Sequence, residues 1–294
     1  MSSTAQTETD LATERKPRDD EIDVYGVTDT GRTRKNNQDH FLICSLHRQV
    51  KIIGTSLPPD SAWPAHERMA FLAMVADGVG GSSQGEEASR VAVERIMDYV
   101  ARSMKCYYTA DASDDATFSG ALEEAAMQAH GHIAELARDD PERRGMATTL
   151  TVFMGVWPRA YILQVGDSRC YVLRKGELIQ ISRDQTMAQE LVDQGVLSRT
   201  EAPRTRWAHV LSSSIGGGQT APVVTRFDSA YGNVLLLCSD GLTKHVSDAR
   251  IRERLQTMAS AKQACEALLK DALDDGGTDN ITIIVARALK KDQE

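Results

Sequence analysis

The stretch MAFLAMVADGVGGSSQGEEAS, Met69 to Ser89, carries an apolar run into a single carboxylate, Asp77, and then into glycines. The run has the length and apolar character of a strand built for burial. A strand that delivers one Asp into a nearly bare backbone has two readings. Asp-Gly is a common hairpin turn signal. Alternatively, the carboxylate holds a metal ion and the glycines leave it room. The rest of the chain weighs between them.

Asp77 has a near twin, because NVLLLCSDGL ends an apolar run in Asp240 and Gly241. Two further acids stand before apolar runs: Asp39 precedes HFLICSL and Asp279 precedes NITIIV. A fifth, Asp167, follows YILQVG. In antiparallel sheets the end of one strand and the start of its neighbour share an edge. Asp77 and Asp240 as strand closers, with Asp39 and Asp279 as strand openers, therefore converge at one rim. Carboxylates gathered there repel unless they are paired. No neighbouring stretch supplies matching Lys or Arg, so a pair of divalent cations resolves the conflict. Ligands that are all oxygen select hard ions, Mg²⁺ or Mn²⁺. A glycine after each Asp leaves space for a carbonyl or a bridging water. Close by, GRTRKNNQD places Arg32, Arg34 and Lys35 within a few residues of Asp39. That cluster is either a phosphate-binding fork of charge-assisted bonds or a solvated cationic turn.

Composition narrows the function classes. Lys and Arg number 34 against 42 Asp and Glu, a net charge of −8, which argues against nucleic acid or an anionic membrane as partner. The five cysteines, Cys44, Cys106, Cys170, Cys238 and Cys265, form no C-x-x-C pair and mostly sit in apolar runs. They read as buried thiols in a reducing compartment. With no apolar signal-peptide core and no run of membrane-spanning length, the expected location is cytoplasmic.

Residues 1–20 are polar and mixed in charge and are expected to form a disordered tail. Residues 21–290 are expected to be a single domain. Strands are expected over IDVYGVTD, HFLICSL, MAFLAMVAD, ATTLTVFMGV, AYILQVGD, CYVLRKG, ELIQIS, VVTRFD, NVLLLCSD and NITIIVARAL. The stripe Ala88, Val91, Ala92, Ile96, Tyr99 and Val100 predicts a helix, as does Leu122, Ala125, Ala126, Ala129, Ile133 and Leu136. Met187, Leu191 and Val192 predict a third, and Ser247 and Ser260 are placed to cap two more. SLPPDSAWPAHE, Ser56 to Glu67, reads as a proline-containing surface loop. Short-turn strands with helices in separate blocks favour an α+β arrangement, antiparallel sheets with helices outside, over a βαβ alternation.

The segments GRTRKNNQD, VADGVGG, GMATTLT, VGDSRCYVLRKGEL, LCSDGLT and GGTDNITIIVA, in this order, resemble the metal-dependent protein phosphatases, the PPM or type 2C family of Ser/Thr phosphatases. The resemblance runs from Val24 to Arg287. DGVGG and SSSIGGG are similar to its compact bacterial branch. It implies a four-layer α-β-β-α sandwich of two antiparallel sheets flanked by helices. It implies two Mn²⁺ or Mg²⁺ ions in the core site and a weaker third. Asp77 would bridge two ions with the Gly78 carbonyl as a further ligand. Asp240 and Asp279 would hold one of them, and Asp39 would contribute directly or through water. Asp167 with Asp240 would hold the third ion, Arg34 would bind substrate phosphate, and Asn280 would orient the strand beside Asp279. The implied reaction is hydrolysis of phosphoserine and phosphothreonine by metal-activated hydroxide, reversing Ser/Thr kinase signalling. Asp77, Asp240 and Arg34 would be catalytic. The implied partners are phosphorylated proteins, among them a cognate Ser/Thr kinase or its substrates, with the chain itself a monomer.

Some positions depart from the family pattern. Val79 stands where eukaryotic members often carry a His proposed as general acid, and Gln38 where many carry Glu. Lys244 and His245 follow SDGLT where an acid is frequent, and Lys244 is expected to face solvent. The other histidines show no metal spacing and are expected in ordinary roles. One of them, His209, lies in Asp184 to Gly218, which resembles the family's mobile flap. Arg204, Arg206 and Trp207 there either set substrate choice or form a polar loop with one anchoring Trp. The departures leave an alternative open: a pseudophosphatase-type module that binds phosphoproteins without turnover. A phosphorylated regulator of transcription as substrate is a third reading, within the enzyme class.

Overall fold

In the computed structural model, which describes residues 15–49, 51, 66–80, 82–103 and 115–291, the strands make two antiparallel sheets packed face to face. The strands are β1 Ile22–Asp29, β2 Asp39–Gln49, β3 His66–Val79, β4 Ala147–Thr148, β5 Leu150–Val156, β6 Arg159–Val165, β7 Arg169–Arg174, β8 Glu177–Gln180, β9 Val223–Asp228, β10 Val234–Cys238 and β11 Ile281–Ala288. One sheet has the order β1-β11-β10-β7-β8; the other has the order β2-β3-β5-β6-β9, with β4 paired to β3. The helices are α1 Ser82–Arg102, α2 Asp115–Asp139, α3 Met187–Asp193, α4 Asp240–Thr243, α5 Asp248–Gln256 and α6 Ala261–Asp274.

Strand periodicity explains why the central runs read as continuously apolar. On β3, Leu72, Met74 and Ala76 face α1 and α2, whereas Ala73 and Val75 face the other sheet. On β10, Val234, Leu236 and Cys238 pack under α5 and α6, whereas Leu235 and Leu237 meet the opposite sheet. Each strand is covered on both faces, so the alternation is between two cores, not between core and water. Three apolar layers between four layers of secondary structure make the α-β-β-α sandwich.

The helices follow their stripes. α1 buries Ala88, Val91, Ala92, Ile96 and Val100, and α2 buries Phe118, Leu122, Ala125, Ala126, Ala129 and Ile133. Ser247 and Ser260 cap α5 and α6, their hydroxyls accepting from the Arg250 and Gln263 N–H groups.

Three expectations change. The run ATTLTVFMGV breaks at Thr149, whose N–H turns to the Asp77 carbonyl (2.9 Å). Asp240 does not end a strand; β10 stops at Cys238 and Asp240 opens α4. Residues 15–20, placed in the disordered tail, are held on the body. The half-exposed Arg15 guanidinium pairs with the buried Glu21 carboxylate (2.5 Å), and Arg68 of β3, 9% exposed, bonds the Pro17 carbonyl and Asp19. A guanidinium that is nearly buried needs acceptors, and this segment supplies them. Residues 1–14, most of the expected loop Ser56–Glu67, and Cys106 lie outside the described residues. The other four cysteines are free thiols, and burial pushes Cys238 and Cys265 up to about 12, so neither is an activated nucleophile. Among the described residues no helix is long and apolar enough to cross a membrane.

Candidate functional site

The register of β2 on β3 sets Asp39 directly opposite Asp77. Asp77 shares the parity of Ala73 and Val75, so it keeps the inter-sheet side as its strand leaves the core. Its N–H donates to Thr149 Oγ1 (3.0 Å), and its carbonyl accepts from Thr148 Oγ1 and the Thr149 N–H (both 2.9 Å). The break between β4 and β5 thus grips the Asp77 backbone. Asp39, 3% exposed, is held by the other sheet: its Oδ2 accepts from Ser239 Oγ and Thr282 Oγ1, each at 2.7 Å. Its Oδ1 is buried without a partner.

Asp240 and Asp279 come from the five-stranded sheet, at the first turn of α4 and just ahead of β11. The expectation that no cation lies close is wrong. Lys244 reaches inward, with Nζ 2.6 Å from Asp240 Oδ2 and 2.7 Å from Asp279 Oδ2. The residue is exposed at the cleft, but its ammonium turns onto the acids because one helical turn puts it beside Asp240. Arg34 brackets Asp279 from the other side, Nε to Oδ1 at 2.7 Å and Nη2 to Oδ2 at 3.0 Å. Asn280 ties the Arg34 loop down, donating to the Thr30 and Asn36 carbonyls (2.9 and 3.0 Å) and accepting from the Gln38 N–H (2.9 Å). His245 Nε2 accepts from the Thr278 N–H (2.9 Å), which fixes the chain just before Asp279.

Burial and mutual repulsion strain these acids. Burial above all, with the Asp240 and Asp279 charges adding, pushes Asp39 up to about 6 against its hydroxyl bonds. Burial raises Asp77 well above the ordinary carboxyl range, and Asp39, Asp240, Asp167 and Asp279 all push it further. Asp77 thus feels every other acid of the group. Each of the two glycines does leave room for a carbonyl. A Cβ on Gly78 would collide with the Gly85 carbonyl, and one on Gly241 with the Asn280 carbonyl. They admit neighbouring backbone, which lets α1 and β11 close on the carboxylates.

Asp167, 7% exposed, lies beyond Asp240 and is pushed up to about 7 by burial first and then by Asp240 and Asp184. One ligand atom each of Asp167, Asp240 and His209 fall within 4.8 Å of one another. Sequence spacing missed His209, because its neighbours are far away in the chain. It sits in the flap segment, which with α3 roofs a polar cleft of about 950 Å³ also lined by Asp167, Asp240, Lys244 and Arg199. Trp207 anchors nothing in the core; it is 37% exposed with the Arg206 guanidinium 4.5 Å from its ring centre. The segment is tied instead by the bridges Thr186–Leu211 and Thr148–Ile215. A smaller apolar cavity of about 110 Å³ between Phe71, Phe153 and Phe227 has no carboxylate in its wall.

The donor set suits divalent cations. Asp39 Oδ1 and Asp240 Oδ1 are buried and unpartnered, and the acids around them repel one another. Such oxygens match Mn²⁺ or Mg²⁺.

A family model described as Protein phosphatase 2C matches residues 58–275. The serine/threonine protein phosphatase PstP of Mycobacterium tuberculosis is 34% identical over 223 residues, which is 76% of this chain but 41% of PstP. The chain therefore spans about two fifths of the length of that relative. Protein phosphatase PhpP of Streptococcus pneumoniae is 28% identical over 279 residues, 93% of this chain and all of PhpP. Among solved structures, the catalytic domain of the phosphatase PstP in complex with two manganese ions superimposes with a TM-score of 0.69 at 30% identity, covering 92% of this chain and 99% of that one.

Proposed function

The chain belongs to the protein phosphatase 2C family, and on that premise we propose that it is a metal-dependent protein serine/threonine phosphatase. The observation that carries the reading is the cross-sheet carboxylate group, with buried, unpartnered Asp39 Oδ1 on the strand opposite Asp77 and buried, unpartnered Asp240 Oδ1 near enough for its charge to act on Asp77. Asp77, the Gly78 carbonyl, Asp39, Asp240 and Asp279 would hold two Mn²⁺ or Mg²⁺ ions, and Asp167 with Asp240 a third. Such ions supply an acidified water as nucleophile and charge neutralisation at the phosphoryl oxygens.

The chain's own residues do the rest. Arg34, half-exposed at the rim, orients the substrate phosphate. The buried hydroxyls of Ser239, Thr282 and Thr149 keep Asp39 and Asp77 aimed at the centre. Val79 offers no proton to the leaving Ser or Thr oxygen. The substrates are phosphorylated proteins, including a cognate Ser/Thr kinase or its targets. The catalytic unit is residues 21–290, acting as a monomer in the cytoplasm.

The purified chain is expected to hydrolyse para-nitrophenyl phosphate and phosphothreonine peptides with Mn²⁺ and to stop with chelator. Asp77→Asn and Asp240→Asn should lower kcat by ~10³ or more. Unchanged metal-dependent turnover in Asp77→Asn would overturn the site assignment. Tight phosphopeptide binding without turnover in saturating Mn²⁺ would point to a binding module instead.

A further inference from the structure

Counting donors on each carboxylate oxygen divides the centre into an open and a closed half. Asp279 is saturated. Its Oδ1 accepts from Arg34 Nε (2.7 Å) and the Asn280 N–H (3.0 Å), and its Oδ2 accepts from Arg34 Nη2 (3.0 Å) and Lys244 Nζ (2.7 Å). A carboxylate offers about four lone-pair sites, and here all are in use. Asp240 is divided, with Oδ2 on Lys244 at 2.6 Å and Oδ1 buried without a partner. Asp39 is divided in the same way, Oδ2 bonded twice and Oδ1 unpartnered.

A cation that draws on the unpartnered Asp39 Oδ1 or Asp240 Oδ1 breaks none of these bonds. One that draws on Asp279 or Asp240 Oδ2 must break them. It has to displace a protein cation, and Lys244 is the one shared by both acids. Arg34 grips Asp279 with two nitrogens in a planar fork, whereas the ammonium is a single point charge on a flexible four-carbon stem. Lys244 also lines the 950 Å³ cleft, so a displaced ammonium has polar space to enter.

Resting on the metal-dependent reading above, we infer that Lys244 is a resident counter-cation competing with the second metal ion for Asp240 and Asp279. Loading is then ordered. The first ion takes the open half, and the second binds more weakly because it must expel the ammonium. Lys244 is a positioning residue in this scheme: it sets how much metal the site demands by holding Asp240 and Asp279 until the second ion arrives.

The test is Mn²⁺ titration of the full chain by calorimetry, with thermal melts in parallel, for wild type, Lys244→Met and Lys244→Arg. Wild type should show two unequal core-site steps, read in an Asp167→Asn background so that the third site does not contribute. Lys244→Met should tighten the weaker step by about tenfold or more, since no ammonium then has to be expelled from Asp240 and Asp279. Lys244→Arg should keep the two unequal steps. Metal-free Lys244→Met should melt below wild type, because Asp240 and Asp279 lose their counter-charge, and should gain more from Mn²⁺. Lys244→Gln, neutral but still a donor, serves if Lys244→Met is not stable without metal. A second step in Lys244→Met or Lys244→Gln no tighter than in wild type overturns this inference alone. A wild type that takes up no Mn²⁺ overturns the metal-dependent reading and this inference together.

Discussion

Asp39 lies 3% exposed between two sheets, and Asp77 faces it across a strand pair; their environment favours the protonated form of both. This has a consequence for stability that runs opposite to the usual carboxylate case. An unfolded Asp titrates near about 3.9. In the folded, metal-free chain Asp39 is pushed up to about 6 and Asp167 to about 7. Between those values the native state holds protons that the unfolded state has released, so stability is present below about pH 4 and is lost as pH rises through 6 to 7. With chelator present, Tm should therefore fall by ~5 °C or more between about pH 5 and pH 8. Saturating Mn²⁺ should flatten the profile. Depressed acids such as Asp271, clamped first by Arg254, change stability only in more acidic solution and do not mask the effect. A Tm that rises over that interval in chelator would contradict the burial of these groups.

Single elements act as clips. The chain from Thr30 to Gln38 carries Arg34, and the Asn280 side chain makes three hydrogen bonds to it. Asn280→Ala should cost about 1–3 kcal/mol in urea denaturation and raise KM for a phosphopeptide several-fold, because Arg34 is no longer held at the rim. The N-cap Ser260 of α6 is the contrast, remote from the carboxylates and bonded to the Gln263 N–H. Ser260→Ala should cost about 1 kcal/mol and leave KM unchanged. If both variants lose stability alone, the clip has no part in substrate binding. The caps at Ser247 and Ser260 were legible in the sequence because a cap and its helix are neighbours in the chain. The break at Thr149 was not, since its cause is Asp77, reached only across the sheet.

At the scale of the whole molecule, the centre spans the two sheets. Asp39 and Asp77 belong to one, and Ser239, Asp240, Asp279 and Thr282 to the other or its edges. Their spacing therefore depends on the apolar layer between the sheets, where Ala73 and Val75 meet Leu235, Leu237 and Ile284. Ile284→Ala, at a fully buried position, should cost ~2–5 kcal/mol in urea denaturation. It should also weaken Mn²⁺ binding, since the halves holding the ions are no longer packed at one distance. Full retention of Mn²⁺ affinity in a destabilised Ile284→Ala would show that the site is rigid without that layer.

The sequence by itself determined most of the strands and helices, and that Asp39, Asp77, Asp167 and Asp279 stand near where strands end or begin. Those properties are written in residues close along the chain, through a period of two, a period of 3.6 and a hydroxyl before a helix. The sandwich decided the rest. It brought the acids of one sheet against the hydroxyls of the other, turned Lys244 inward onto Asp240 and Asp279, and carried His209 to Asp167. Lys244 lies one helical turn from Asp240, but Asp279 reaches it only through the packed sheet, and a flap residue meets its partner only once two sheets have packed. Contacts of that kind are set by the distance between elements in space, which no local pattern of residues encodes.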